Sequence, residues 1–153
     1  MGRMSNTIIS ALFLTLAVGA QAQDKERKLT TKQLPSAVVS AFQKAYPKAT
    51  IKGVAEEKKD GKIYFEIESM DGKTSRDLLY QADGTISEIE EGIALTELPE
   101  AAKSAVLTKY PKGKLIKAEK VTKGSQVSYD IDVQTGKRKF EVDVDANGKF
   151  IKE

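Results

Sequence analysis

The 153 residues are 40% hydrophobic and 31% charged, enough for one globular domain with its own core. The 25 basic and 22 acidic residues leave a net charge of +3 and are interspersed, which excludes the one-sided basic footprint of a nucleic-acid binder. With no His and no Cys, the chain lacks the commonest general base, a thiol nucleophile, the usual zinc ligands and any disulfide, so a Ser-His-Asp triad is impossible.

The N-terminus has the pattern of an export signal over residues 1–22. Arg3 supplies positive charge, Ile8 to Ala20 form an apolar run, and Ala20-Gln21-Ala22 is a small-x-small cleavage site. The run falls short of the ~20 residues that span a bilayer, and no Cys is present for a lipid anchor, so the expected product is periplasmic or secreted, without a stable membrane anchor. Residues 23–33 (Gln23 to Gln33) are polar and read as a flexible leader.

A first amphipathic helix runs from Leu34-Pro35 to Tyr46-Pro47. Pro suits the opening turn of a helix and is hostile to its interior, and Leu34, Val38, Ala41, Phe42 and Ala45 recur at helical spacing between the two prolines. The period then switches to alternation in four strand-like runs: Thr50 to Glu57, Lys62 to Glu68, Thr74 to Gln81 and Thr85 to Glu90. Asp60-Gly61, Asp71-Gly72 and Asp83-Gly84 punctuate them as hairpin turns. Glu91 to Glu97 is a joining stretch. A second helix follows from Leu98-Pro99 to Tyr110-Pro111, with Ala102, Ala105 and Val106 inside it, and then strands around Leu115 to Val121, Val127 to Val133 and Phe140 to Val144, with Phe150 beyond Asn147-Gly148.

A shift of about 64 residues superposes the two Leu-Pro starts, the two Tyr-Pro stops, and Gly72 and Gly84 on Gly136 and Gly148. The domain of residues 34–153 is therefore two helix-plus-four-strand repeats, 34–90 and 98–153. One copy is too small to bury much, so the two are expected to share one core, with both helices on one face of an antiparallel α+β sheet and the other face open.

Strand alternation sends Ile63, Phe65 and Ile67 inward and Tyr64, Glu66 and Glu68 outward; in the second copy Ser128, Asp130 and Asp132 point outward. Leu79 is expected to be exposed on the open face, where the second copy has Asp143. Tyr64, Glu66, Leu79, Asp130 and Asp143 are the candidate partner-binding residues, with Tyr64 and Leu79 as anchors ringed by charge. Arg76 takes the core-facing place of Phe140 and reads as a side chain snorkelling past a sheet edge rather than a buried anion contact. Gly72-Lys73-Thr74 has the tail of a phosphate loop without its earlier Gly or its helix. Asp143, Asp145 and Asn147 open like a calcium loop, but Asp83-Gly84 makes the same hairpin without those first two carboxylates, so a structural turn is preferred and calcium is the alternative.

Together the Leu-Pro starts, the Tyr-Pro stops, Phe65-Glu66-Ile67 with Tyr129-Asp130-Ile131, and the terminal hairpins resemble the PepSY-like, β-lactamase-inhibitor-like family, over essentially everything after the signal. The resemblance implies the tandem-repeat fold of β-lactamase inhibitor protein, an exported bacterial protein, no enzymatic activity and no cofactor. It implies inhibition only by analogy of fold, and the inhibitor protein is disulfide-bonded whereas this chain has no Cys. The expected function is a non-enzymatic binding module for a protein or peptide in the envelope or outside the cell; the alternative is a carboxylate-based calcium-binding structural protein.

Overall fold

The computed structural model describes residues 25–59 and 61–152. Residues 1–24, which include the expected export signal, Asp60 of the first hairpin and Glu153 lie outside them. Among the described residues nine strands follow the chain in a single antiparallel sheet, each hydrogen-bonded to its neighbours in sequence order. They are β1 (Lys25–Lys28), β2 (Thr50–Lys59), β3 (Lys62–Asp71), β4 (Thr74–Tyr80), β5 (Ile86–Ile93), β6 (Lys114–Lys123), β7 (Gln126–Thr135), β8 (Arg138–Asp145) and β9 (Phe150–Lys152). Helix α1 (Ser36–Ala45) connects β1 to β2, and α2 (Glu100–Lys109) connects β5 to β6.

The two helices begin and end alike because the same residues bound them. The Pro35 carbonyl accepts from the amides of Val38 and Val39, and the Pro99 carbonyl from Lys103, so each Pro stands just outside the helix and starts its ladder. At the other end the amides of Tyr46 and Tyr110 donate to Phe42 and Val106, each at 2.8 Å, before Pro47 and Pro111 block another turn. The hairpin turns at Gly84 and Gly148 then dock on the first turn of each helix. A Cβ on Gly84 would lie 2.7 Å from the Ala37 carbonyl oxygen, and one on Gly148 2.5 Å from that of Ala101; both residues have φ near +85° (+86 and +83). Only glycine satisfies the dihedral and the approach at once.

Register carries one face through the whole sheet. Ile67 stands opposite Val54 and Leu78, Leu78 opposite Ile89, and, four residues along β5, Ile93 opposite Ala118, which faces Ile131. Both helices lie on this face, as the repeat predicts. The core, however, is not shared. Val38 and Phe42 of α1 pack with Val54, Ile67, Leu78 and Tyr80, whereas Ala102 and Val106 of α2 pack with Leu115, Ile131, Val133, Val142 and Val144. The copies are joined through the β5–β6 ladder, in which Ile89 to Ile93 pair with Thr122 to Ala118.

Three further expectations need correction. Lys25 to Lys28, read as flexible leader, form an edge strand on β2, held in part by Arg27–Glu56 at 2.9 Å, and Thr31–Gln33 form a 3-10 turn. Ile63 is on the core side but 52% exposed, because it lies at the hairpin end beyond the helix. Arg76 does not snorkel: its side chain is 16% exposed, pairs with Glu91, and lies over the Tyr46 ring.

Candidate functional site

The face away from the helices is built by the residues that alternate with the core. Read across the strands, it contains two rows of directly opposed carboxylates. Glu68 of β3 faces Asp77 of β4, which faces Glu90 of β5. Glu119 of β6 faces Asp130 of β7, which faces Asp143 of β8. Like charges directly opposite in a sheet are destabilising, so such rows run against what stability alone would select. Internal cations neutralise only part of the field. Glu88 sits between Lys123 at 2.9 Å and Lys59 at 3.8 Å, and Glu119 pairs with Lys117 at 2.8 Å. Among the described residues no ion pair reaches Glu66, Asp77, Glu90 or Asp130.

The protonation of these groups reflects that deficit. Glu66 is pushed up to about 7 by burial and then by the charges of Glu57, Asp77, Glu68 and Glu26. Glu90 rises to about 8 through burial, a hydrogen bond with Glu88, and the charges of Glu88, Asp130 and Glu119. Asp130 rises to about 6 through burial and then repulsion from Asp143 and Glu141. Burial also raises Asp77, followed by Glu119 and Glu68. Burial comes first in every case, and neighbouring carboxylates add to it.

Of the candidate binding residues, Glu66, Asp130 and Asp143 fall on this face as the alternation requires, and Tyr64 stands on it half-buried, opposite Glu57. Leu79 is on the face but is not exposed: 9% of it reaches solvent. Glu66 and Glu88 flank it on the neighbouring strands, and with Glu57, Lys59, Asp77 and Glu90 they line a small cleft of about 90 Å³ around it. Ala55 and Val121 are likewise buried on this face, outside both core clusters. Residues 79, 55 and 121 are thus the apolar floor, and the carboxylates stand above it.

The three calcium-loop residues are arranged as a turn. Asp145 Oδ1 accepts from the amides of Asn147 (2.8 Å) and Lys149 (2.9 Å), as Asp83 Oδ1 accepts from Thr85 (2.8 Å) in the first copy. Asp143 lies two residues earlier on the sheet face, where its Oδ1 is buried without a hydrogen-bond partner. Among the described residues no group of three or more His, Cys, Asp or Glu side chains could hold a metal ion.

Sequence reasoning singled out Glu66 and Asp130 but missed Asp77, Glu90, Glu119 and Val121. Counting outward from the Asp71-Gly72 turn would have placed Asp77 opposite Glu68, and counting from Gly124 would have placed Glu119 opposite Asp130. Glu90 could not be placed that way, because a register shift between Leu79 and Tyr80 intervenes.

This arrangement of two helix-and-meander copies is matched by the family model described as "Putative beta-lactamase-inhibitor-like, PepSY-like", over residues 20–88 and again over 63–152. The chain belongs to the PepSY-like family. Solved structures share the PepSY-like architecture. One described as a "putative periplasmic" protein from Bacteroides eggerthii superposes with a TM-score of 0.65 at 19% identity, covering 78% of this chain and 86% of that one. A DUF2874 family protein from Bacteroides ovatus gives 0.62 at 22% identity (78% and 85%), and a BLIP-like protein from Bacteroides fragilis 0.60 at 18% (78% and 84%). At these identities they show the fold alone. No curated protein matches the sequence. Among the described residues no helix is long and apolar enough to cross a membrane.

Proposed function

We propose that this PepSY-like protein is an exported, non-enzymatic binding module that engages a protein or peptide partner through the open sheet face. The single observation that carries the reading is the pair of opposed carboxylate rows, Glu68–Asp77–Glu90 and Glu119–Asp130–Asp143, on the face that neither helix covers. Places where a sequence breaks a local stability rule are where function is expected. Export is supported by the signal pattern of residues 1–22 and by a structural relative described as periplasmic. The reading commits the chain to binding and leaves any chemistry to the partner.

The test uses the mature chain from Gln23, immobilised and exposed to envelope and culture-supernatant extracts. A variant with Tyr64→Ala and Glu66→Lys on the open face should lose the captured protein, while Gln43→Ala on the solvent side of α1 keeps it. Retention by the first and loss by the second would place binding on the helical side.

A further inference from the structure

At the C-terminal end of the open face, a groove of about 370 Å³ lies between the β6–β7 hairpin and the β8–β9 edge. Its walls differ in chemistry. Val121 and Ile151 give it an apolar wall, Ile151 at 54% exposure, on a face otherwise so charged. Opposite them are Asp143, whose Oδ1 is buried with no hydrogen-bond partner, and Asp145. A carboxylate oxygen is an acceptor only, so a partner for Asp143 must bring a donor. Lys123, which also lines the groove, is already paired with Glu88 at 2.9 Å.

We propose that this groove seats a lysine or arginine side chain of a peptide partner, its methylene stem against Val121 and Ile151 and its cationic head on Asp143. The proposal rests on the open-face reading and names the chemistry of the partner. Long cationic side chains are the groups that combine an apolar stem with a charged donor head. An anion is opposed by Asp143, Asp145 and the adjacent Asp130. A calcium ion wants six to eight oxygen ligands, whereas here Asp145 has committed Oδ1 to two backbone amides and much of the wall is aliphatic. The crowded acids around the groove add long-range attraction for a basic segment, which steers encounter and fades with salt.

The experiment is a titration of the isotope-labelled mature chain with a short lysine-glycine peptide at low ionic strength, followed by amide NMR shifts. Binding should move the amides of Val121, Val127 and Ile151. Acetylating the lysines of the peptide, or making Asp143→Asn, should weaken it at least ten-fold, while Glu26→Gln at the far edge leaves it unchanged. Equal binding of the acetylated peptide, or indifference to Asp143→Asn, would overturn the proposal. Shifts at Tyr64, Leu79 and Glu90 but none in the groove would overturn it and leave the open-face reading standing; shifts confined to the helices would end both.

Discussion

Arg76 lies over the ring of Tyr46, its guanidinium carbon 5.1 Å from the centroid, in the place where the second copy sets Phe140 against Tyr110 at 4.8 Å. Duplication has kept the contact and changed its chemistry. A cation on an aromatic face replaces an edge-on aromatic pair, and because Arg76 is largely buried it brings Glu91 with it.

That pair gives the first prediction. Glu91→Ala leaves a largely buried guanidinium without its carboxylate and should destabilise the protein by ~1–3 kcal/mol, since breaking such a pair costs more than the pair contributes. Arg76→Phe, which copies the second repeat, should cost less than ~1 kcal/mol even though it removes the same ion pair. Urea unfolding of both variants checks this, and a larger loss for Arg76→Phe than for Glu91→Ala would refute it.

The second prediction concerns pH. Glu66, Glu90 and Asp130 have folded values of about 7, 8 and 6, above ordinary values of 4.5, 4.5 and 3.8. Between the two values the folded chain binds more protons than the unfolded one, so stability falls as pH rises. Their favourable contribution is complete below about pH 4 and lost progressively through pH 6 to 8. The melting temperature should therefore be several degrees higher at pH 5 than at pH 8, and Glu90→Gln should flatten the upper part of that slope. A melting temperature that climbs from pH 5 to 8 would contradict this assignment.

Glycine substitutions separate strain from contact. At Gly124, φ is +60° and nothing lies within 4 Å of where a Cβ would sit, so Gly124→Ala should cost only the left-handed backbone penalty, ~1 kcal/mol. Gly148→Ala meets the same penalty and also the Ala101 carbonyl, and should cost ~2–4 kcal/mol. Equal losses in denaturant melts would show that the turn does not press on the helix.

Much of this fold is legible in the sequence because its punctuation is local. Pro35 and Tyr46, like Pro99 and Tyr110, mark helix ends by their own backbone constraints, and Asp71-Gly72 fixes a register that can be counted outward. What escaped was set by partners distant in sequence. Lys25 to Lys28 carry no apolar alternation, and they form a strand only because β2 offers an unpaired edge. Alternation puts Leu79 on the correct face, but its burial depends on neighbours such as Glu66 and Glu88 that come from two other strands. The Glu119–Asp130–Asp143 row was countable from its hairpins, whereas Glu90 joins Asp77 only after a bulge that no turn residue announces.

The carboxylate rows lead to the last prediction, which sets stability against binding. Asp77 and Asp130 are the middle members of their rows, each facing two carboxylates. Directly opposed like charges cost ~0.2–1 kcal/mol per pair, so Asp77→Asn with Asp130→Asn removes four such repulsions while keeping side-chain shape and hydrogen-bonding capacity. The double variant should melt several degrees higher than the parent at pH 8, and the gain should shrink at pH 4, below the value of about 6 at which Asp130 takes up its proton. The same substitutions should weaken capture of a basic partner, with the loss greatest at low salt, because the field that attracts it has been reduced at its centre. A double variant that is no more stable at pH 8, or is less stable at both pH values, would mean that the chain already compensates these charges internally. The rows would then carry no unmet demand for a cation.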